Sequence, residues 1–367
     1  MKPDGLREHV PLAARTTFGV GGPARWLVEA NSEAEVSSAL AWAREQGIPV
    51  LVLGGGSNLL VADRGIEALV LRVRLAGVAA ERRGEAMIVD VGAGEGWDDL
   101  VARAVAEGWA GIECLSGIPG DVGATPIQNV GAYGQDVAET IVGVRAVERA
   151  SGKIVEMDGA ACGFGYRDSV FKREAKGLLV ITRVTFSLRP GGAPGVRYAE
   201  LAQKLAASPA PSLAAMPATV LALRKSKAML LDPGGENGQS AGSFFMNPTL
   251  DDAALAQVRA RVASSGVLAP GEAMPAYPAG AGRTKLAAGW LIERAGFGKG
   301  AGAGRVGLST KHALSVVNRG GATATEIVTF ALSVKEGVRA RFGVSLHAEP
   351  VLAGFHADEI AGLASEG

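Results

Sequence analysis

The chain has 367 residues, more than one ordinary domain holds, so two or three domains of about 100–150 residues each are expected. Its 37 basic and 37 acidic side chains cancel to zero net charge, which leaves no global basic surface for nucleic acid. Hydrophobic residues make up 48% and charged residues 20%, the proportions of a globular protein with a proper core.

In chain order, the N-terminus MKPDGLREHVPL lacks the apolar stretch of a signal peptide. No later apolar run approaches the roughly 18–20 residues of a membrane span, so a cytoplasmic protein without a membrane partner is expected. Ser32 to Gln46 reads as a helix: Ser32 and Glu35 fit a capping box, Val36, Leu40 and Ala43 share a face, and Gly47 stops it. A strand at Ile48 to Leu53 ends in Gly54-Gly55-Gly56-Ser57-Asn58, after which a second strand is expected at Ala68 to Val73. No helix opens at these glycines, and Leu59 stands where the last glycine of G-x-G-x-x-G would fall, which argues against a Rossmann loop. Gly92-Ala93-Gly94-Glu95-Gly96, between a strand at Met87 to Val91 and a helix at Trp97 to Glu107, is a second near miss, with Trp97 in the third-glycine place. Each loop is as compatible with a tight turn as with a ligand.

Gly117 to Val137 (GIPGDVGATPIQNVGAYGQDV) holds five glycines, two prolines and two aspartates, and no Lys, Arg, His or Cys. So much bare backbone implies that something approaches it closely. Strands are expected at Val142 to Glu148 and Gly177 to Leu188, a linker or crossover at Pro190 to Pro217, and helices at Asp251 to Ser264 and Glu326 to Phe342. The composition thus turns helical toward the C-terminus. Cys114 and Cys162 read as buried thiols, and His9, His312, His347 and His356 form no cluster with carboxylates or cysteines, so no metal site is legible.

Reactive side chains amid glycines and aromatics occur at Tyr166-Arg167-Asp168, Gly242-Ser243-Phe244-Phe245 and His347-Ala348-Glu349. A nucleophile elbow at Ser243 would need glycine at Phe245, so a serine hydrolase fits poorly. An isolated Ser, Arg and Glu are more often structural than catalytic.

Six segments in order carry a resemblance over nearly the whole chain: TFGVGG at 17–22, LGGGSNLL at 53–60, IPGDVGATPIQNVGAYG at 118–134, FGYRDSVFK at 164–172, AGSFFMNP at 241–248 and KLAAGWLIERAG at 285–296, followed by a C-terminal glutamate before a strand. The chain resembles the UDP-N-acetylenolpyruvoylglucosamine reductases, the MurB flavoenzymes of bacterial peptidoglycan precursor synthesis. The resemblance implies an α+β protein: a two-domain FAD-binding fold of the vanillyl-alcohol-oxidase (PCMH) type plus a third α+β substrate-binding domain. The expected spans are 1–75 and 76–222 for the two FAD-binding subdomains and 223–349 for the substrate domain, with 350–367 returning to the first. FAD would lie between the first two, with the third closing over substrate.

The implied activity is that of a UDP-N-acetylmuramate dehydrogenase, with NADPH as hydride donor and FAD bound non-covalently. Hydride passes from FAD N5 to the β-carbon of the enolpyruvyl ether of UDP-N-acetylglucosamine. By resemblance, Arg167 and Glu349 stabilise the enolate-like charge and Ser243 protonates the α-carbon. The implied cofactor contacts are Gly54, Gly55, Gly56, Ser57 and Asn58 in a first loop without an acid to repel phosphate. In the second loop they are Ile118, Pro119, Gly120, Gly123, Ala124, Thr125, Asn129, Gly131, Ala132, Tyr133 and Gly134. The implied substrate contacts are Tyr166, Tyr198, Lys227, Asn247, Tyr277 and Lys285, of which Lys227 and Asn247 would meet the UDP diphosphate. Tyr198 resembles the loop tyrosine that closes over substrate in one family subtype. The family's C-terminal Leu-x-Pro-Glu is Leu346-His347-Ala348-Glu349 here, and His312 replaces a polar substrate contact of some members. A monomer acting on small molecules is expected. Two other classes compete: an FAD-dependent oxidase of the same fold, against which the lack of His or Cys in either FAD loop counts, and a non-catalytic nucleotide-sugar sensor, which would have no use for a proton donor at Ser243.

Overall fold

Local signals set most element boundaries. Ser32 Oγ accepts from Glu35 N–H at 3.2 Å and opens the helix Glu33–Glu45, while the Glu35 carboxylate reaches back to Asn31 N–H at 2.7 Å. Thr323 and Glu326 form a reciprocal capping box on the helix Ala324–Phe342, which ends at Gly343 in the left-handed region. A computed structural model of the chain describes residues 2–206, 211–232, 234–280 and 282–363. Its contacts divide into two compact units, Met1–Val10, Ala24–Gly56 and Glu67–Ser226 in one and Pro11–Pro23, Ser57–Ile66 and Lys227–Gly367 in the other.

Besides the two-stranded hairpin of Gly131–Ala132 with Gln135–Asp136, the first unit contains two larger sheets. One runs in the order Arg7–Pro11, Pro23–Ala30, Ile66–Val73, Val50–Leu53, and its last two strands are parallel. The other is antiparallel, in the order Ile154–Asp158, Ile141–Glu148, Leu179–Pro190, Ala86–Gly92, Val78–Arg83, with Trp109–Ala110 paired to the end of the long strand. One core serves both, since Leu69 and Leu71 of the first sheet bury with Val89, Val144 and Phe186 of the second and with Trp97 of the helix Trp97–Ala106. The expected border at 75/76 falls in the link between the two sheets.

The second unit packs the helices Asp252–Ser264, Ala288–Arg294 and Ala324–Phe342 with short strands, so the helical reading of this region was incomplete. Thr249–Leu250, Thr284–Leu286 and Ala276–Pro278 form one sheet, Val306–Leu308 pairs with Val316–Asn318, and Val351–Ala353 runs parallel to Leu59–Val61. Two- and three-residue strands are too short to show alternation, which is why they escape a periodicity reading. The grouping also differs from the spans 1–75, 76–222 and 223–349. Phe18, Val20 and Leu60 bury their side chains with Phe244, Phe245, Ile327 and Phe342, and so carry 11–23 and 57–66 into the C-terminal unit.

The linker expected at Pro190 to Pro217 contains the helix Ala199–Leu205 instead. Residues 195–208 are free of proline, and Leu201 and Leu205 bury against Met216, Val220, Leu223 and Cys114. Both cysteines are free and buried. No helix among the described residues is long and apolar enough to cross a membrane.

Candidate active site

The two glycine loops of the first unit meet backbone to backbone. A Cβ on Gly55 would lie 2.7 Å from Gly120 Cα, closer than real Cβ contacts come. Among the described residues, the N–H groups of Gly54, Gly55 and Gly56 have no backbone or side-chain acceptor. Three open amides on a loop without a basic side chain form a nest suited to an anion. A Cβ on Gly54 would touch only the Asp121 side chain, at an ordinary 3.5 Å, so the protein itself does not fill that space. These features fit the diphosphate of a flavin dinucleotide.

The second loop is strapped from behind. Trp97 N–H donates to Gly120 O, Val122 N–H to Glu95 O and Gly123 N–H to Ala93 O, each at 2.9 Å. The near-miss glycines at 92–96 are therefore packing residues: a Cβ on Gly92 would meet Leu75 O at 2.4 Å, and one on Gly94 would meet Arg74 C at 2.5 Å. Gly123 has the same constraint, 2.6 Å from Ala93 Cβ. Ile118 packs partly against the core, while Ala124 N–H and the Thr125 hydroxyl close a short 3-10 turn by donating to Asp121 O and Val122 O. Gly131 and Ala132 pair with Gln135 and Asp136 across a tight hairpin whose tip, Tyr133 and Gly134, has φ of +50° and +81°. Pro119 lies between Ile118 and Gly120 in the same loop.

Arg167 is tied to this loop. Its guanidinium donates to Asn129 O at 3.2 Å and to Gly131 O, and it lies 5.4 Å from the centre of the Tyr166 ring. Asn129 completes the link: its amide donates to Gly165 O at 2.9 Å and its side-chain oxygen accepts from Ala138 N–H at 3.0 Å. Among the described residues five non-glycine residues have positive φ, and Asn129, Tyr133 and Arg167 are three of them, so backbone strain concentrates here. Burial, helped by the nearby Glu139, pushes the Asp136 carboxyl above the usual range.

Ser243 and Glu349 come together in the second unit. Phe245 and Ala348 form an antiparallel bridge, Glu349 N–H donates to Phe244 O at 2.9 Å, and Met246 N–H donates to His347 O at 3.0 Å. Phe244 and Phe245 are each 1% exposed, and Phe18 packs edge-on against Phe244 at 6.2 Å, so the backbone beside Ser243 is held rigidly. Asn58 bonds the glutamate strand twice, donating from its side-chain amide to Glu349 O at 3.2 Å and accepting at its backbone O from Val351 N–H at 2.9 Å. Ser57 O accepts from the Thr17 hydroxyl at 3.3 Å. The resemblance implies a cofactor contact for Asn58; in the second unit it also bonds the glutamate strand. His347 contributes its backbone here, and His312 Nδ1 accepts from Leu314 N–H at 3.1 Å in the turn before Val316–Asn318.

The remaining candidates scatter more widely. Tyr277 and Lys285 are direct cross-strand partners. Asn247 Oδ1 accepts from Ala288 N–H at 2.9 Å at the start of Ala288–Arg294, and Lys227 follows the helix Met216–Ser226. Tyr198 precedes Ala199–Leu205, and its ring meets Tyr133 edge-on at 5.4 Å. Sequence reasoning missed the group that helps hold it there. Glu113, fully buried, accepts from Gly111 N–H, Gln135 Nε2 and Gly195 N–H at 2.6–2.9 Å, joining the segment before Tyr198 to the second glycine loop. A lone acid in the apolar run Ile112-Glu113-Cys114-Leu115 was its signal. A groove of about 1060 Å³ on the six-stranded sheet contains none of the candidate residues, and its charges pair among themselves as Arg145–Glu33 and Arg183–Asp90.

Residues 24–158 match the FAD binding domain family, and residues 232–353 match the UDP-N-acetylenolpyruvoylglucosamine reductase C-terminal domain family. The UDP-N-acetylenolpyruvoylglucosamine reductase of Thermobifida fusca is 47% identical over 350 residues, 94% of this chain and 97% of the relative. That of Mycobacterium tuberculosis is 44% identical over 363 residues, 95% of each. The crystal structure of the MurB reductase from Thermus caldophilus superimposes with a TM-score of 0.62 at 27% identity, covering 95% of this chain and 99% of the other.

Proposed function

The chain belongs to the family of UDP-N-acetylenolpyruvoylglucosamine reductases, and we propose that Arg167, Ser243 and Glu349 are the groups through which it acts on the reacting carbons. It is an FAD-dependent oxidoreductase, a UDP-N-acetylmuramate dehydrogenase of peptidoglycan precursor synthesis. Its reaction reduces the enolpyruvyl ether of UDP-N-acetylglucosamine at the expense of NADPH. FAD, when bound, supplies the hydride transfer from NADPH to the β-carbon of the ether.

Hydride addition at the β-carbon leaves an electron pair at the α-carbon, delocalised into the carboxylate. Arg167, fixed to Asn129 O and Gly131 O, supplies a cation for that charge. Glu349 joins Arg167 in stabilising that charge. Ser243 Oγ gives its proton to the α-carbon, which requires neighbours that ease the loss. The observation that carries the pairing of Ser243 with Glu349 is the Phe245–Ala348 bridge.

The loops at 54–58 and 118–134 hold FAD without a covalent link. Lys227 and Asn247 take the UDP diphosphate, Tyr166, Tyr277 and Lys285 complete the substrate contacts, and Tyr198 closes over the sugar nucleotide. We read 1–75 and 76–222 as the FAD-binding part, with 11–23 and 57–66 packed into the C-terminal unit, and 223–349 as the substrate part of a cytoplasmic monomer. Ser243→Ala keeps flavin reduction by NADPH and slows flavin reoxidation by the enolpyruvyl substrate by several orders of magnitude; stopped-flow absorbance showing both half-reactions intact refutes the serine assignment.

A further inference from the structure

Asp121 is the one acid in the first turn of the second glycine loop, and its setting is unusual. The residue is 9% exposed, and Oδ2 is buried without a hydrogen-bond partner. It occupies the N-cap position of the short 3-10 turn Val122–Ala124, where an aspartate ordinarily accepts from the backbone, yet its side chain makes no such bond. The carboxyl instead lies under the first glycine loop: a Cβ on Gly54 would sit 3.5 Å from Oδ2, and one on Gly55 would sit 3.2 Å from Oδ1. An orphaned carboxylate oxygen thus faces the loop whose amides are open to an anion.

A charged carboxylate in that place would repel a diphosphate and would stay unsolvated. A neutral carboxyl has a proton to donate and removes both penalties. We propose that Asp121 is a cofactor-binding residue of this chain, engaging the diphosphate of FAD as a neutral acid, so that FAD uptake carries one proton from solvent with it. The inference rests on the reading of this chain as an FAD protein. Burial raises the affinity of Asp121 for a proton, and the guanidinium groups of Arg74 and Arg72 oppose this only in part. On the strap behind it, the Glu95 carboxylate accepts from Gly77 N–H, and the Asp99 carboxylate lies against Gly96. The Gly54–Gly55 loop contributes no titratable group.

The sign follows from linkage. A bound diphosphate raises the proton affinity of Asp121 above that of the flavin-free protein. FAD therefore binds most tightly below the flavin-free pKa and weakens by about tenfold per pH unit between the two pKa values. The test is release of FAD from the full-length holoprotein at equilibrium, followed by the fluorescence of freed flavin across pH, for the wild type, Asp121→Asn and Asp136→Asn. Asparagine keeps the shape and a donor but cannot titrate. The expected result is a one-proton slope in the wild type and in Asp136→Asn, and a flat profile in Asp121→Asn. A slope that persists in Asp121→Asn overturns the proposal, as does a folded Asp121→Asn protein that has lost FAD at every pH. If that variant fails to fold, the wild type alone decides, since absence of proton release on FAD dissociation overturns the proposal. A wild-type protein that never carries flavin would refute the FAD reading itself, which is a different outcome.

Discussion

Gly54 and Gly55 are neighbours in sequence and identical in chemistry, yet alanine at each should do different damage. At Gly55 a methyl group would overlap Gly120 Cα at 2.7 Å and press on Asp121 Oδ1 at 3.2 Å. Backbone cannot rotate away as a side-chain tip can, so Gly55→Ala must spread the two loops, at a cost of about 1–3 kcal/mol. Neither glycine has positive φ, so the cost is steric rather than conformational. At Gly54 the methyl would meet only the Asp121 carboxyl at 3.5 Å, and loss of unfolded-state freedom makes the change neutral or stabilising by up to about 1 kcal/mol. Thermal unfolding of the flavin-free protein should show Gly55→Ala melting several degrees below the wild type, at roughly 2–4 °C per kcal/mol, and Gly54→Ala at or slightly above it. Flavin-to-protein ratios, read from absorbance after gel filtration, should fall in both variants, in Gly54→Ala because on the proposed FAD site the methyl takes up cofactor space. Equal melting temperatures for the two flavin-free variants, or full flavin in Gly54→Ala, would refute the reasoning.

Arg197 and Glu139 form a two-pronged ion pair at 2.6 and 2.8 Å on a largely exposed surface, so Arg197→Ala should cost less than about 1 kcal/mol of stability. It should nevertheless raise KM for the sugar nucleotide more than it lowers kcat, because the pair anchors the residue next to Tyr198; unchanged KM counts against a role for that tyrosine. Burial pushes the Cys114 thiol up to about 12 and the Cys162 thiol up to about 11, so both stay protonated at pH 8, and maleimide should label neither until the protein is unfolded. Rapid labelling of the native protein would contradict their burial. Acid precipitation should release yellow, free FAD into the supernatant, whereas flavin retained in the pellet would favour an oxidase with a tethered cofactor.

Much of the fold was legible because its signals are local. Ser32 with Glu35, the buried positions Val36, Leu40 and Ala43, and the stop at Gly47 lie within a few residues of one another, and the helix formed between those marks. The same holds for Asp252–Ser264 and for the long strands around Val144 and Val184. Where the local signal was compositional it misled. Alanine, glycine and proline at 190–217 looked like a linker, but two leucines at helical spacing were enough to bury Ala199–Leu205. In the candidate site, the sequence pointed to the glycines without distinguishing their purposes. Gly92, Gly94 and Gly123 make room for protein backbone or a neighbouring methyl, while Gly54 leaves space that the protein does not use.

By itself, then, the sequence determined the helices and strands with clear periodicity, the left-handed glycine stops, the balance of charge and the order of the motifs that carry the resemblance. Each depends on residues a few positions apart, where backbone geometry ties spacing to shape. Only the tertiary structure decided that Ser243 and Glu349 lie on bridged strands, that Asn58 holds the glutamate strand, and that 11–23 and 57–66 belong with the C-terminal core. It also decided that Asp121 turns its carboxyl from its own turn toward Gly54. Those outcomes join residues far apart in the chain, and they follow from which apolar surfaces bury each other and in what register, quantities that no local spacing encodes.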